Sequence, residues 1–275
     1  MGLHAEVRGA GPAVVLLHGF TQTGRCWGPV GDDLARDHET IALDAPGHGG
    51  SGDVRADLPT AAGLALEAAK EATGGAPAVW LGYSMGARLA LHVALAAPEA
   101  VAALVLVGGT PGLEDATARA ERRAADADLA AALRRDGVDA FLERWLALPL
   151  FAGLPPCARF DDERRRNTAE GLASSLELAG TGSQADLWPR LPELADRGLA
   201  GPTPALPAKP ALPVLAVAGA EDAKFSAVAE RMAAAIGPGA TARLVPGAGH
   251  AAHLERPSTF LTVVRSWLRA DGRPH

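Results

Sequence analysis

The chain has little cysteine, little lysine and no long unbroken apolar run, and each shortage removes a class of function. Cys26 and Cys157 are the only thiols in 275 residues. They lack CxxC spacing and a neighbouring histidine pair, so neither a disulfide framework nor a zinc site is expected. Lysine occurs only at Lys70, Lys209 and Lys224. Arginine supplies the remaining positive charge and alanine is abundant, the mark of a GC-rich coding background, so an arginine cluster carries less functional weight here than elsewhere. Lys and Arg number 26 against 32 Asp and Glu, a formal net charge of −6, which gives no support to a nucleic-acid partner. No apolar stretch reaches membrane-spanning length without a glycine or a charge. The stretch from Met1 to Arg8 lacks the basic start and apolar segment of a secretory signal. The expectation is a cytoplasmic protein without a membrane partner. Its hydrophobic content of 48% is enough for a large core.

What the chain does have is a serine in a telling place. The apolar run Ala76-Pro77-Ala78-Val79-Trp80-Leu81 leads directly into Gly82-Tyr83-Ser84-Met85-Gly86, followed by a helical pattern over 85–97. A strand ending in Gly-x-Ser-x-Gly and turning at once into a helix is a nucleophile elbow. The tight turn forces the serine into a strained conformation with its hydroxyl outward, and the flanking glycines let helix and strand approach closely. The helix aims its free N–H groups at the same point. The competing reading is an ordinary turn whose serine only caps a helix.

A serine hydroxyl is a poor nucleophile and a poor base alone. It needs an imidazole to take its proton and a carboxylate to hold that imidazole. In an elbow of this type the order is serine, acid, histidine. Pro213-Val214-Leu215-Ala216-Val217-Ala218-Gly219 reads as a late strand followed by Glu221 and Asp222. Ala242-Arg243-Leu244-Val245 reads as the last strand, followed by the loop Pro246-Gly247-Ala248-Gly249-His250. His250 is therefore the expected base, and Glu221 and Asp222 are rivals for the acid. Among the other histidines, His4, His38, His92 and His275 are expected at the surface or on a helix face, and His253 packs or caps. The buried strand Ala13-Val14-Val15-Leu16-Leu17 ends in His18-Gly19-Phe20. There the backbone N–H of Phe20, with that of Met85, is placed for an oxyanion hole, and His18 is structural.

Strand patterns at 3–8, 13–17, 40–44, 77–82 and 102–108 alternate with helical ones at 26–36, 60–73 and 85–97. This argues for an α/β fold with a mostly parallel sheet covered on both faces. Residues 113–200 are helical in period, charged and without a convincing strand, which predicts a helical cap inserted between core segments 1–112 and 201–275. The Pro-rich stretch to residue 213 reads as an extended connector.

These motifs resemble the α/β-hydrolase superfamily, in which the strand-end pattern Gly-x-x-Asp favours Asp222 over Glu221. Further residues resemble one subgroup: Ala87-Arg88-Leu89-Ala90-Leu91 after the elbow, Leu17-His18-Gly19-Phe20-Thr21 with Trp27, and Asp44-Ala45-Pro46-Gly47-His48-Gly49-Gly50-Ser51. So do Arg122-Arg123-Ala124-Ala125-Asp126, Phe141-Leu142-Glu143-Arg144-Trp145, Pro149-Leu150-Phe151, Gly180-Thr181-Gly182-Ser183-Gln184 and Glu221-Asp222-Ala223-Lys224-Phe225. That subgroup is the 2-succinyl-6-hydroxy-2,4-cyclohexadiene-1-carboxylate synthase family of menaquinone biosynthesis, and the resemblance covers nearly the whole chain. Ala87 in place of a common glycine and a long Pro-rich connector are departures that do not touch the chemistry.

The resemblance implies a lyase that expels pyruvate, with Ser84 acting as a base and no metal or organic cofactor. The implied substrate is a small polycarboxylate. Planar, permanently charged guanidinium groups suit it. Arg88, Arg122 and Arg164 match substrate-contacting positions, although Arg123, Arg165 and Arg166 adjoin the last two and a charge run on a helix is commonly a solvated face. Tyr83 and Trp145 are candidate pocket walls, while Trp27, Trp80, Trp188 and Trp267 are read as packing. The alternative is a carboxylic-ester or thioester hydrolase using Ser84 as nucleophile. Dehalogenases and epoxide hydrolases are disfavoured, since they carry aspartate at the elbow. A non-catalytic scaffold is disfavoured by the complete set of catalytic groups.

Overall fold

Short runs of Val, Leu and Ala that would be unstable alone are paired into one seven-stranded sheet in the computed structural model, which describes residues 2–196 and 211–270. The strands are β1 (Ala5–Arg8), β2 (Ala13–Leu17), β3 (Glu39–Leu43), β4 (Ala78–Tyr83), β5 (Val101–Val107), β6 (Val214–Gly219) and β7 (Ala240–Val245). Their order is β1-β3-β2-β4-β5-β6-β7. Only β1 is antiparallel to its neighbour. β4 and β6 are buried at every position, as strands covered on both faces must be. The parallel register brings Leu17, Gly82, Val107, Gly219 and Val245 toward one edge, so the loops that follow them converge.

The helices are α1 (Gly28–Leu34), α2 (Leu58–Thr73), α3 (Met85–Ala96), α4 (Ala116–Leu146), α5 (Asp161–Arg164), α6 (Ala169–Ala179), α7 (Ala223–Ile236), α8 (Ala252–Glu255) and α9 (Pro257–Arg269). Local signals set several ends. Asp57 accepts the Thr60 N–H to cap α2, and Gly74 closes it in the left-handed region, the pairing expected of a capped helix. The helix expected over 26–36 is instead a 3-10 turn, Gly24–Trp27, followed by α1. Gly28 has φ +42° at the joint, with Pro29 opening α1. α2, α3 and α7 cover one sheet face, and α1 and α9 the other.

Between β5 and β6 the chain is helical, and among the described residues it contains no strand. α4 packs on α6 around a small core of its own: Ala130, Leu133, Phe141, Leu172, Ala173 and Leu176. α4 is broken at Gly137, whose φ of 78° is not helical. Leu187, Leu191 and Leu194 behave differently: they are buried in the larger core with α3 and α7. These leucines lie against the core helices, and the expected boundary at 200 itself lies outside the described residues. Most of the Pro-rich connector, 201–210, lies outside the described residues.

One expectation needs correction: His38 is buried rather than at the surface, with Nδ1 2.8 Å from Asp37 Oδ1. His92 is on a helix face, as expected, and that face of α3 is buried. His275 lies outside the described residues. Among the described residues no helix is long and apolar enough to cross a membrane.

Candidate active site

Ser84 occupies φ 51°, ψ −105°, a conformation that L-residues avoid. The turn from β4 into α3 imposes it, and its flanking glycines make the turn possible. A Cβ on Gly86 would strike the Leu17 carbonyl, and one on Gly82 would strike the Gly86 carbonyl. The helix consequently lies directly against the sheet, and Met85 is its first residue. An N–H at that position has no partner within its own helix.

His250 follows β7 and Asp222 follows β6. His250 Nδ1 is 2.9 Å from Asp222 Oδ2, and Nε2 is 3.3 Å from Ser84 Oγ. Asp222 also caps α7, its Oδ1 accepting the Phe225 N–H. One oxygen is thus anchored by backbone while the other orients the imidazole. Burial alone would raise the Asp222 pKa. The hydrogen bonds from His250 and the Phe225 N–H outweigh it and hold the carboxyl below its ordinary value. Glu221, the rival, is exposed.

The loop after β2 is ordered by its own polar groups. His18 Nε2 accepts the Ala45 N–H at 3.0 Å, which leaves the proton on Nδ1 to donate to the Gly19 carbonyl. Burial pushes the His18 pKa down and keeps it neutral. Gly19 N–H donates to Gln22 Oε1. Among the described residues no acceptor holds the Phe20 N–H, and Phe20 and Met85 flank Ser84 in the same cavity.

That cavity is about 530 Å³, within the ~300–1,000 Å³ typical of small-molecule sites. Ser84, Asp222, His250, Tyr83, Phe20, Met85, Arg88, Arg122, Trp145 and Arg164 all line it. The adjoining arginines do not. Arg123 donates to the Gly182 carbonyl, Arg165 pairs with Asp139, and Arg166 pairs with Glu163. Trp145 stacks on Phe141 and meets Phe20 edge-on, tying α4 to the loop after β2. Tyr83 lies against His250 and His253.

The arginines differ in how their charge is met. Arg122, half exposed, pairs with the buried Asp126 at 2.8 Å. Arg88 is buried and, among the described residues, donates to the Ala179 carbonyl and Gln184 Oε1. Arg164 is 1% exposed and donates to the Arg159 carbonyl and Thr21 Oγ1. Among the described residues neither Arg88 nor Arg164 has a carboxylate partner. Burial pushes the Arg88 pKa down to about 10, aided by Arg122 and opposed by Asp126; it remains charged at neutral pH. Burial lowers Arg164 too. Two desolvated, unpaired cations are costly to fold around, and a bound anion would offset that cost.

The cavity also contains residues that sequence reasoning missed. Gln22 and Lys224 line it. Gln22 stands two residues beyond Phe20, and Lys224 lies within the motif Glu221-Asp222-Ala223-Lys224-Phe225, and those placements were the available signals. Leu129, Leu148, Leu150 and Phe151 add an apolar wall; Leu150 and Phe151 belong to the motif Pro149-Leu150-Phe151, whereas nothing local distinguishes Leu129 and Leu148 from ordinary packing residues. Among the described residues no group of three His, Cys, Asp or Glu is placed to hold a metal.

Residues 14–263 match the model of the alpha/beta hydrolase family. A Salmonella schwarzengrund protein named 2-succinyl-6-hydroxy-2,4-cyclohexadiene-1-carboxylate synthase is 33% identical, over 98% of this chain and 100% of its own. A Bacillus subtilis protein that carries the same name provisionally is 34% identical over 97% of this chain and 95% of its own. The solved structure of MenH from S. aureus superposes with a TM-score of 0.84 at 28% identity, covering 96% of this chain and 97% of that one.

Proposed function

The chain belongs to the alpha/beta hydrolase family and, within it, to the 2-succinyl-6-hydroxy-2,4-cyclohexadiene-1-carboxylate synthases, and on that premise we propose that it eliminates pyruvate from 2-succinyl-5-enolpyruvyl-6-hydroxy-3-cyclohexene-1-carboxylate. The observation that carries this reading over ester hydrolysis is the pair of buried, carboxylate-free guanidinium groups, Arg88 and Arg164, facing the Ser84 cavity. An apolar ester would leave both uncompensated. A substrate bearing several carboxylates pairs them.

The bond changes follow from the two ring systems. The ring C2–H, adjacent to the succinyl carbonyl, loses its proton. The electron pair left at C2 becomes the 2,3 double bond, the 3,4 pair shifts to 4,5, and the C5–O bond breaks with its electrons going to the leaving oxygen. Pyruvate leaves as its enolate and is then protonated. Ser84 Oγ serves as the base, made more basic by passing its own proton to His250, which Asp222 orients. Negative charge gathers on the succinyl oxygen. The N–H groups of Phe20 and Met85 stabilise it, each such donor contributing roughly 3 kcal/mol. Arg88, Arg122 and Arg164 seat the carboxylates, and Tyr83 and Trp145 form walls. The helices from α4 to α6 act as a cap over the sheet edge. The reaction needs no cofactor, and a cytoplasmic place of action belongs to the same proposal.

The test is pyruvate release and ultraviolet absorbance with enzymatically generated substrate, spontaneous loss subtracted, and a p-nitrophenyl ester in parallel. Pyruvate release well above background that falls at least about a thousandfold in Ser84→Ala is the expected result. Brisk ester cleavage without accelerated pyruvate release would sink the proposal.

A further inference from the structure

We propose that Glu255 is a positioning residue for His250, gripping the loop on both sides of the imidazole. Glu255 is 5% exposed. Its Oε2 accepts the Gly249 N–H at 2.7 Å and its Oε1 accepts the Ala251 N–H at 3.0 Å. The two donors are the immediate neighbours of His250. Among the described residues no arginine or lysine pairs with this carboxylate, so its hydrogen bonds go to that loop. A buried carboxylate is costly. An apolar side chain of the same shape would pack in its place but leave two buried N–H groups without acceptors.

The loop is also constrained from below and above. A Cβ on Gly219 would strike the carbonyls of Ala248 and Gly249, so the loop rests directly on the end of β6. Above, a Cβ on Gly153 would strike Glu255 Oε2, so the segment after the 3-10 turn Pro149–Phe151 covers the carboxylate. The precision matters because His250 Nε2 is already 3.3 Å from Ser84 Oγ. A few tenths of an ångström of outward drift would end that hydrogen bond, while Asp222, anchored to α7, orients the ring from its other nitrogen. Glu255 thus sets, together with these contacts, how far the imidazole reaches toward the serine.

The inference rests on the Ser84–His250 reading but not on the identity of the substrate. The experiment is therefore run with two readouts: pyruvate release under steady state, and the rate at which a fluorophosphonate labels Ser84. Glu255→Gln retains the shape and one acceptor while turning an N–H donor toward a donor. The expected result is a ten- to hundredfold fall in kcat with KM within about twofold, a comparable slowing of labelling, and weakening of the low-field imidazole N–H proton resonance of the His250–Asp222 bond. Glu255→Ala, if it folds, should be worse than Glu255→Gln in the same direction. Wild-type labelling and kcat in Glu255→Gln would overturn the proposal. So would losses shared equally between kcat and KM with an unchanged imidazole resonance. A wild-type chain that labels quickly yet releases no pyruvate would overturn the lyase reading and leave this one standing.

Discussion

The floor and the roof of the cavity are built by different rules. The floor is three loop ends on one sheet edge, carrying Ser84, Asp222 and His250, each held by backbone: a strained elbow, a helix cap, a gripped loop. The roof, from α4 to α6, is held by a six-residue apolar core and by long charged side chains. Within the roof a second contrast appears. Exposed Arg134 and half-exposed Arg122 meet carboxylates, whereas among the described residues the buried Arg164, like Arg88 on the floor helix, does not. In the proposed reaction, positioned dipoles below serve the chemistry, and the unmatched charge between floor and roof seats the ligand.

Substitutions can break that contrast, beginning with the most severe. Asp222→Asn keeps the shape but favours the wrong imidazole tautomer, and kcat should fall roughly a thousand- to ten-thousandfold with KM little changed. A loss under tenfold would mean the floor is not a charge-oriented relay. Arg88→Met removes a buried, carboxylate-free cation. kcat/KM should fall about ten- to hundredfold, chiefly through KM, while the thermal midpoint stays level or rises because a desolvated charge has gone. A large drop in midpoint with unaltered KM would show Arg88 to be a strut rather than a ligand. Arg134→Ala cuts an exposed link between α4 and α6. It should cost about 1 kcal/mol or less, a midpoint change of about 1–3 °C, and leave kcat/KM within twofold. A marked activity loss there would erase the distinction between outward and inward arginines.

The legibility of the site follows the same division. Ser84, Asp222 and His250 could be singled out because each follows a strand end, where a short run of apolar residues followed by a turn is a local signal. Strand bounds were accordingly off by a residue or two, as with β3 at Glu39–Leu43 against 40–44. Local spacing alone left Glu221 and Asp222 as rivals for the acid, and the family's Gly-x-x-Asp pattern favoured Asp222; in the structure Asp222 caps α7 and faces His250 while Glu221 is exposed. The arginines could not be assigned one by one from period alone. Arg164, Arg165 and Arg166 are consecutive, and only the packing of α5 buries the first and sends the others to Asp139 and Glu163. Gln22 and Glu255 carried no motif for their roles, since each acts through backbone groups it meets only after folding.

The sequence by itself determined the α/β alternation, the elbow at Ser84, and the order of serine, acid and histidine. Those depend on local periodicity, glycine sterics and turn chemistry, which act within a few residues. The tertiary structure alone decided which of several identical guanidinium groups faces the cavity, where the helical segment rejoins the main core at Leu187, Leu191 and Leu194, and which carboxylate holds the His250 loop. Burial and hydrogen-bond partnership belong to pairs of distant residues, and they exist only once the sheet has brought its loop ends together.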